Sequence, residues 1–400
     1  MNGISAERVF FWQRCESHLQ APFFEALYTS GAVNIHWVLE LDRDPERLKQ
    51  GWRFGVERPY VVQLSRQPEK ALGLLSENED AVHVFSGPVG ERFRRRLFLL
   101  AASRRLRFGI LSEPPFPGPL RNLGRLLLSR SVLRRAWPHV QLALGIGAGA
   151  RRWFSSLGIP SDSIHAWAYC NTVQDWAWLG DGAKRFRIIY VGQFIRRKGL
   201  DLLFLALGEI RDLPWELVML GGGSEESRLV SMSEHMGFAE RVRWIPFSGQ
   251  ETVQKEIASS DLLVLPSRHD GWGSTVNEAL MCGIPAMCSD RCGSAEVLIP
   301  EYGAWIGAPI HRTSSARVTK GGPQLGERGV VFRSGAVGDM ARGLRMQIER
   351  GRPTLMAREA LRAWALERLS GEALARYFIQ LITWRGNKGS APRPIAPWLS

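Results

Sequence analysis

The sequence predicts an α/β protein built from two doubly wound domains, each with a parallel sheet at its centre. Short apolar runs typical of buried strands alternate with stretches of helical length along most of the chain. The second half shows this alternation most clearly, because its strands, glycine turns and helices are joined by short connections. At 400 residues the chain is also longer than one hydrophobic core usually spans. Together these observations favour two domains of the same class.

The first half of the chain contains the less regular part of the alternation. Buried strands are expected at RVFFW, VNIHWVLEL, YVVQL, AVHVFSG and RFGILSE, with a helix at APFFEALYTSG. A polar stretch that contains glycine follows at residues 171–185, and the alternation restarts after it. We therefore place the domain boundary within this stretch.

The second half continues as a regular succession of strands, turns and helices. Strands are expected at FRIIYVG, WELVMLGGG, RVRWIPFSG and DLLVLPS, and helices at GLDLLFLALGEI, SEESRLVSMSEHMG, ETVQKEIASS and STVNEALMCG. Ligands of such domains bind at the carboxyl ends of the strands, so the turns that follow the strands are the candidate sites. Residues 307–328 predict a long surface loop, and residues 386–400 predict a flexible tail.

The composition restricts the partners and the compartment. A formal charge of +13 favours an anionic partner, which could be a phosphate ligand, an anionic lipid or a nucleic acid. The five cysteines form no CxxC pair, which argues against a disulfide framework or a zinc site and favours a reducing cytoplasm. No apolar run approaches the roughly 18 residues of a membrane span, so any membrane contact is expected at the surface.

A basic turn follows the first strand of the second half, in YVGQFIRRKGLDLL. Gly192 permits close backbone approach, and Arg196, Arg197 and Lys198 stand at the start of the next helix. Three cations beside a helix N-terminus suit a diphosphate, because the helix dipole and the exposed N–H groups favour negative charge there. The alternative is a solvated basic loop.

A glycine run follows the next strand, in VMLGGGSEESRL. Gly221, Gly222 and Gly223 leave room for a ligand, while Ser224 and Glu225 suit the first turn of a helix. Helix capping explains the serine and the glutamate whether or not a ligand binds.

The stretch HDGWGSTVNEAL places Asp270 and Glu278 on either side of a Gly-Trp-Gly turn. A hydroxyl at the helix start, from Ser274 or Thr275, can hold a phosphate, and a carboxylate one turn later can accept hydrogen bonds from ribose hydroxyls. The alternative interpretation is a capping box between Thr275 and Glu278.

These three motifs, in this order, resemble the donor-binding half of the retaining GT-B glycosyltransferases of family 4, also called glycosyl transferases group 1. The resemblance is dense over residues 186–300 and includes an acid, seven residues and a glutamate, from Asp270 to Glu278, followed by CGIPAMCSD. It implies a GT-B fold, with two Rossmann-like domains facing a central cleft. It also implies retaining transfer of a hexose-type sugar from a UDP-, GDP- or ADP-sugar to a glycan or lipid-linked glycan, in cell-surface polysaccharide biosynthesis and with no obligatory metal.

The resemblance also implies roles for individual residues. Lys198 is expected to contact the donor diphosphate, Asp270 the sugar hydroxyls and Glu278 the ribose. The other donor-binding positions that it implies are Gly192, Gln193, Arg196, Arg197, Gly222, Gly223, His269, Gly271, Trp272, Gly273, Ser274 and Thr275. The family often has Arg at the position of Gln193 and usually Glu at the position of Asp270.

The resemblance divides the chain by task. Residues 1–175 are expected to bind the acceptor, residues 180–365 the nucleotide-sugar, and a helix at residues 366–385 to cross back to the first domain. Glu113, at a strand end before a Pro-rich loop, is the leading catalytic candidate on the acceptor side. The other candidates there are His36, His83 and His139.

Two alternatives remain at this stage. GIGAGARRW, at residues 145–153, fits the pattern GxGxxA of NAD-dependent enzymes, although no acidic residue follows at the required distance. The second alternative is a non-catalytic basic scaffold that binds a membrane or a nucleic acid. The arginine-rich segments 91–108 and 121–137 could bind an anionic membrane in such a scaffold, or in a peripheral enzyme at the inner face of the membrane. They could equally be helices whose leucines face the core, and no recognised nucleic-acid motif accompanies the charge.

Overall fold

The structure is a computed structural model of the chain. It describes residues 6–44, 48, 57–64, 67–87, 92–115, 133–174, 185–300, 324–326, 328–386 and 391–400. Most of the expected loop at 307–328, most of the expected boundary at 171–185, and residues 121–132 of the second arginine-rich segment lie outside these ranges.

The N-terminal half is built on a sheet of seven parallel strands within the described ranges, in the order β3-β2-β1-β4-β5-β6-β7. Its strands are β1 (Glu7–Gln13), β2 (Val33–Leu39), β3 (Val61–Gln63), β4 (Val82–Ser86), β5 (Arg107–Ser112), β6 (Leu142–Ile146) and β7 (Ile164–Trp167). Its helices are α1 (Ala21–Thr29), α2 (Pro68–Ser76), α3 (Arg92–Ser103) and α4 (Gly147–Ser156).

The C-terminal half is built on a second sheet, in the order β10-β9-β8-β11-β12-β14-β13, and among its described strands only the edge strand β13 is antiparallel. Its strands are β8 (Phe186–Gln193), β9 (Trp215–Gly222), β10 (Val242–Ile245), β11 (Leu262–Leu265), β12 (Ala286–Ser289), β13 (Gln324–Gly326) and β14 (Gly329–Phe332). Its helices are α5 (Leu200–Glu209), α6 (Glu226–His235), α7 (Gln250–Ala258), α8 (Thr275–Met281) and α9 (Ala295–Leu298). The fold class expected from the sequence is confirmed.

The central strands are buried on both faces, which explains their continuous apolar sequences. In β1, Val9 and Phe11 point into one hydrophobic cluster, and Phe10 and Trp12 point into another on the opposite face. Successive side chains of a strand alternate between its faces, so a strand covered by helices on both sides must be apolar throughout.

Each sheet changes direction beside its first strand. In the second sheet the chain proceeds outward from β8 to β10 and then returns to place β11 on the other side of β8. The loops after β8 and β11 therefore diverge at the carboxyl edge and leave a crevice between them, the usual ligand position in doubly wound sheets. The basic turn follows β8, and HDGWGSTVNEAL follows β11.

After β14, the described residues form three α-helices: α10 (Val337–Arg350), α11 (Leu355–Leu369) and α12 (Gly371–Gly386). Helix α12 packs on the N-terminal half, where the ring of Phe378 lies 5.4 Å from that of Phe11 and 5.6 Å from that of Phe23. Gly371 is needed at its start, because a Cβ atom there would overlap the carbonyl oxygen of Pro22.

The expectation of a flexible tail is wrong for residues 391–400. The ring of Trp398 is fully buried between those of Trp272 and Tyr377, each at 6.3 Å. Arg368 Nη1 also donates a hydrogen bond to the carbonyl oxygen of Pro397, at 2.8 Å. The Pro-rich composition of the tail predicts flexibility, but the burial of the Trp398 side chain holds residues 391–400 in one position against the core.

The first arginine-rich segment forms helix α3 and strand β5. Leu97, Phe98 and Ala101 face the core, and Arg94 forms an ion pair with Glu40 at 2.8 Å. The apolar face of α3 therefore covers the sheet, as in an ordinary amphipathic helix. Within the described ranges, none of the helices is both long and apolar enough to cross a membrane.

Of the three candidate histidines, His83 is buried in the core, His36 is partly buried and His139 is exposed. His83 is buried, and both of its ring nitrogens are hydrogen-bonded. Its Nδ1 accepts from Trp12 Nε1 at 3.2 Å, and its Nε2 bonds with the carbonyl oxygen of Asn78 at 2.9 Å. Burial lowers the pKa of His83 to about 4. His36 stacks on Phe10 with ring centres 4.3 Å apart, and burial lowers its pKa as well. His139 is exposed at the end of a 3₁₀ turn.

The packing of α12 makes a stability prediction. We expect Phe378→Ala to destabilise the protein by about 3–5 kcal/mol, because it leaves a cavity against two aromatic rings. The matched control is Gln380→Ala, which changes an exposed side chain on the same helix. Thermal unfolding should show a lower midpoint for Phe378→Ala alone, and equal midpoints for the two variants would contradict the packing described here.

Candidate active site

A cleft of about 1700 Å³ separates the two halves at the carboxyl edges of their sheets. The N-terminal half contributes residues 16–19 after β1, part of α1, Glu113 after β5, and Tyr169, Asn171 and Thr172 after β7. The C-terminal half contributes the end of β8 and the loops that follow β8, β10 and β11. Side chains of α12 close one end.

The basic turn and the acidic turn meet inside this cleft. Lys198 Nζ lies 2.6 Å from Asp270 Oδ2, and both side chains are largely shielded from solvent. Arg197 Nη1 donates to the carbonyl oxygen of His269 at 3.0 Å and lies 4.0 Å from the same oxygen of Asp270. Gly199, with φ 68°, makes the tight turn possible, because a Cβ atom there would overlap the carbonyl oxygen of Pro266.

Glu278 is a buried carboxyl on α8 that faces the cleft. Asn171 Nδ2 donates to its Oε1 at 2.7 Å, and Gln250 Nε2 donates to the same oxygen at 3.1 Å. Burial raises the pKa of Glu278 to about 7, although the two amide donors act in the opposite direction. The capping alternative is not realised, because Ser274 is the N-cap residue and makes no side-chain cap hydrogen bond.

Glu113 faces this cluster from the N-terminal half. Tyr169 Oη donates to Glu113 Oε1 at 2.8 Å, and Oε2 lies against the backbone of Gly271. Burial raises the pKa of Glu113, as does the nearby Asp270, whereas the Tyr169 hydroxyl and the cations of Arg197 and Lys198 lower it. The carboxyl therefore binds a proton more readily than an exposed glutamate does.

Most of the other expected donor positions line the same cleft. These are Gly192, Gln193, Arg197, His269, Gly271, Gly273, Ser274 and Thr275. Gly192 and Gly273 have φ of 142° and 89°, conformations that favour glycine. Burial lowers the pKa of His269, so its ring tends to remain neutral beside the cations.

Four expected donor positions do not line the cleft. Trp272 is buried, with its Nε1 donating to Asn277 Oδ1 at 3.2 Å, so its ring supports the turn from behind. Gly223 lies against Phe194, and a Cβ on Gly222 would lie 3.3 Å from the ring of Phe247, so both glycines serve local packing. Arg196 uses its carbonyl oxygen to accept a bond from Arg268 Nη1 at 2.9 Å, outside the cleft lining.

The GIGAGARRW stretch forms the end of β6 and the start of α4. A Cβ at Gly147 would lie 2.9 Å from Gly293 Cα, and one at Gly145 would lie 2.8 Å from Arg151 Cγ. The space that a pyrophosphate would need at these glycines is therefore filled by protein, which argues against the NAD alternative.

Tyr169, Asn171 and Gln250 bond to the carboxyls of the cleft but were not predicted from the sequence as site residues. Tyr169 and Asn171 follow β7, and Gln250 follows β10, so all three stand beyond the carboxyl ends of parallel strands. That position was the available signal, but single polar residues after a strand are too common to select without knowing which strands are neighbours. Within the described ranges, no group of three or more His, Cys, Asp or Glu side chains could hold a metal ion.

The contact between Gly271 and Glu113 makes a structural prediction. Gly271→Ala should displace the Glu113 carboxyl from Tyr169, because the added Cβ would overlap Glu113 Oε2. Gly249→Ala is the control, since Gly249 lines the same cleft and a Cβ there meets nothing within 4 Å. A crystal structure of Gly271→Ala with Glu113 still bonded to Tyr169 would contradict this account.

Comparison with known proteins finds the same fold and a family match. Residues 179–320 match the family model described as glycosyl transferases group 1. An uncharacterized glycosyltransferase, MJ1607 of Methanocaldococcus jannaschii, is 28% identical over 121 residues, which are 30% of this chain and 31% of that protein. The lipopolysaccharide core biosynthesis glycosyltransferase LpsD of Rhizobium meliloti is 27% identical over 150 residues, 36% of this chain and 42% of that protein. The chain thus spans less than half the length of these curated relatives.

Two solved structures extend the similarity to nearly the whole chain. The apo form of the lipopolysaccharide outer core galactosyltransferase WaaB has a TM-score of 0.65 and 16% identity, and the match covers 94% of this chain and 99% of that chain. Anabaena Alr3699/HepE in complex with UDP has a TM-score of 0.65, 14% identity and the same coverage. The protein therefore has the GT-B fold expected from the resemblance, and its C-terminal half contains the segment that matches the glycosyl transferases group 1 model.

Proposed function

We propose that this protein is a retaining glycosyltransferase that moves a hexose-type sugar from a nucleotide-sugar to a glycan or lipid-linked glycan in cell-surface polysaccharide biosynthesis. The observation that carries the proposal is the meeting of Lys198, Asp270 and Glu278 in one cleft, within the segment that matches the family model. The names of the relatives support it, since LpsD is a lipopolysaccharide core enzyme and HepE has been solved with UDP-glucose. We assign the donor to the C-terminal half, the acceptor to the N-terminal half and the reaction to the cytoplasm.

Lys198 and Arg197 are the proposed ligands of the donor diphosphate. Lys198 is held by Asp270 at 2.6 Å and Arg197 by the His269 carbonyl at 3.0 Å, so both cations are in place before a ligand arrives. Cations fixed in position stabilise the charge that develops on a departing diphosphate without a reorganisation cost. This is how the turn after β8 would promote cleavage of the sugar–phosphate bond.

Asp270 and Glu278 are the proposed hydroxyl acceptors at the two ends of the donor. Asp270 lies beside the Gly271–Gly273 backbone and would hold the sugar, with an oxygen held by Lys198. Glu278 would hold the ribose, and its bonds from Asn171 and Gln250 use Oε1 alone. A carboxylate can accept about four hydrogen bonds, so Oε2 is available to ribose hydroxyls.

Glu113 is the proposed contact for the acceptor hydroxyl. Transfer breaks the bond between the anomeric carbon and a diphosphate oxygen, forms a bond from that carbon to the acceptor oxygen, and releases the acceptor proton. Glu113 lies across Gly271 from Asp270, and burial raises its pKa, which makes it a stronger base than an exposed glutamate. We assign no covalent nucleophile.

The decisive test is turnover by site variants. We expect Lys198→Ala and Glu278→Ala to reduce release of nucleoside diphosphate from UDP-glucose, GDP-mannose or ADP-glucose by about 100- to 1000-fold, as for removal of other preorganised charges. Thermal-shift screening with the three sugar nucleotides first identifies the donor, because a bound ligand raises the melting temperature.

The controls are Lys255→Ala and Glu209→Ala, which change exposed side chains on α7 and α5. Both should retain wild-type turnover and melting temperature. Wild-type turnover in Lys198→Ala and Glu278→Ala would contradict the proposed function.

The buried carboxyl of Glu278 makes a pH prediction. Its pKa of about 7 means that it is largely protonated at pH 6 and largely ionised at pH 8. The ionised form accepts hydrogen bonds at both oxygens, so affinity for the sugar nucleotide should rise as the pH increases through this range. Calorimetry with UDP-glucose suits the test, since its diphosphate does not titrate near neutral pH; Glu278→Gln should remove the pH dependence, and an unchanged dependence would exclude this role.

A further inference from the structure

A buried ion pair joins the two halves of the protein behind the cleft. Arg151 on α4 donates to both carboxylate oxygens of Glu296 on α9, at 3.2 and 2.9 Å. The exposed fractions of the two side chains are 2% and 0%. The C-terminal segment completes the group, because Trp398 Nε1 donates to Glu296 Oε1 at 3.0 Å. Three distant parts of the chain therefore converge on one carboxylate.

Burying this ion pair costs free energy, and its hydrogen bonds restrict the relative position of the two helices that carry it. Burial removes both charges from water, and their attraction compensates only when the hydrogen bonds are well aligned. The paired contact of a guanidinium with a carboxylate fixes direction as well as distance. The pair therefore holds α4 and α9 in one relative position.

The helix that carries Glu296 is bonded directly to the acidic turn. Asp270 N–H donates to the carbonyl of Arg291 at 3.0 Å, and Gly293 N–H donates to the carbonyl of Asp270 at 3.2 Å. One residue later, Ser294 N–H donates to the carbonyl of Trp272 at 2.9 Å. The segment that leads into α9 thus holds the backbone on both sides of Gly271.

The helix that carries Arg151 begins against the same turn. A Cβ at Gly147, the first residue of α4, would lie 3.3 Å from the carbonyl oxygen of Gly271. On its other side, Gly271 touches the Glu113 carboxyl. A shift between α4 and α9 would therefore change the separation of Glu113 from Asp270 and Lys198.

We propose that Arg151, Glu296 and Trp398 are positioning residues that set the placement of the acceptor-side carboxyl relative to the donor-side ion pair. They touch neither substrate and act through α4, α9 and the turn at Gly271. This inference rests on the proposed function. It gives the C-terminal tail a part in transfer, although the tail lies outside the cleft lining.

The test separates positioning from simple stabilisation by comparing single and double variants. Arg151→Met and Glu296→Met each leave one buried charge without its partner and should lower the melting temperature strongly. The double variant leaves neither charge buried, although Trp398 Nε1 loses its acceptor, so it should melt well above either single variant. The matched control is Arg345→Met, which breaks a two-bond ion pair with Asp212 on the exposed surface.

The double variant is expected to bind UDP, GDP or ADP as the wild type does, because the nucleotide contacts lie within the C-terminal half. Its kcat for nucleoside diphosphate release should nevertheless fall by about 100-fold, the scale that a misplacement of about 1 Å can cost. Trp398→Phe keeps the ring and removes the donor, and should give a smaller loss of kcat. Wild-type kcat in the double variant would show a merely structural pair and overturn the proposal.

A second readout is independent of turnover. Small-angle X-ray scattering should give a larger radius of gyration for the double variant than for the wild type and Arg345→Met, because the two halves are held less tightly. Equal radii would overturn the proposed role of the pair in holding the halves. If the wild type binds no nucleotide and releases none, the proposed function fails, and the scattering comparison still decides whether this pair fixes the halves.

Discussion

The ion pair between Lys198 and Asp270 is the interaction around which the cleft is organised. It joins the loops after β8 and β11, the two strands between which the second sheet changes direction. Each charge is mostly hidden from water and needs the other, so the pair draws the two loops together over the sheet edge. Gly199 allows the basic turn to approach, and the backbone around Arg291 and Gly293 supports the acidic one.

Two other carboxyls of the cleft, those of Glu278 and Glu113, have surroundings that differ from those of this pair. Glu278 is buried among amide donors without a cation, which leaves its pKa near neutrality. Burial raises the pKa of Glu113 above its usual value, although the Tyr169 hydroxyl and the cations of Arg197 and Lys198 act in the opposite direction. These three carboxyls, two with raised pKa values and one paired with lysine, therefore lie in distinct electrostatic environments.

The sequence was sufficient for the features that depend on local order along the chain. Strand, glycine turn and helix recur so regularly after residue 185 that both the sheet and the loops bearing Lys198, Asp270 and Glu278 could be predicted. The features that depend on contacts between distant segments could not. Trp398 lies in a Pro-rich tail, Trp272 lies inside a loop otherwise exposed to the cleft, and only the folded core shows that the two rings meet. Tyr169 and Asn171 bond to Glu113 and Glu278, residues distant from them in the sequence, so only the folded structure shows that they belong to the site.

We propose that this cleft binds a nucleotide-sugar across the Lys198–Asp270 pair. The most direct measurement is a crystal structure of the protein with the intact sugar nucleotide that it binds most tightly. We expect the diphosphate to contact Lys198 and Arg197, the sugar to lie beside Asp270 and the ribose to contact Glu278. A nucleotide bound elsewhere, with the Lys198–Asp270 pair undisturbed and the cleft empty, would contradict it.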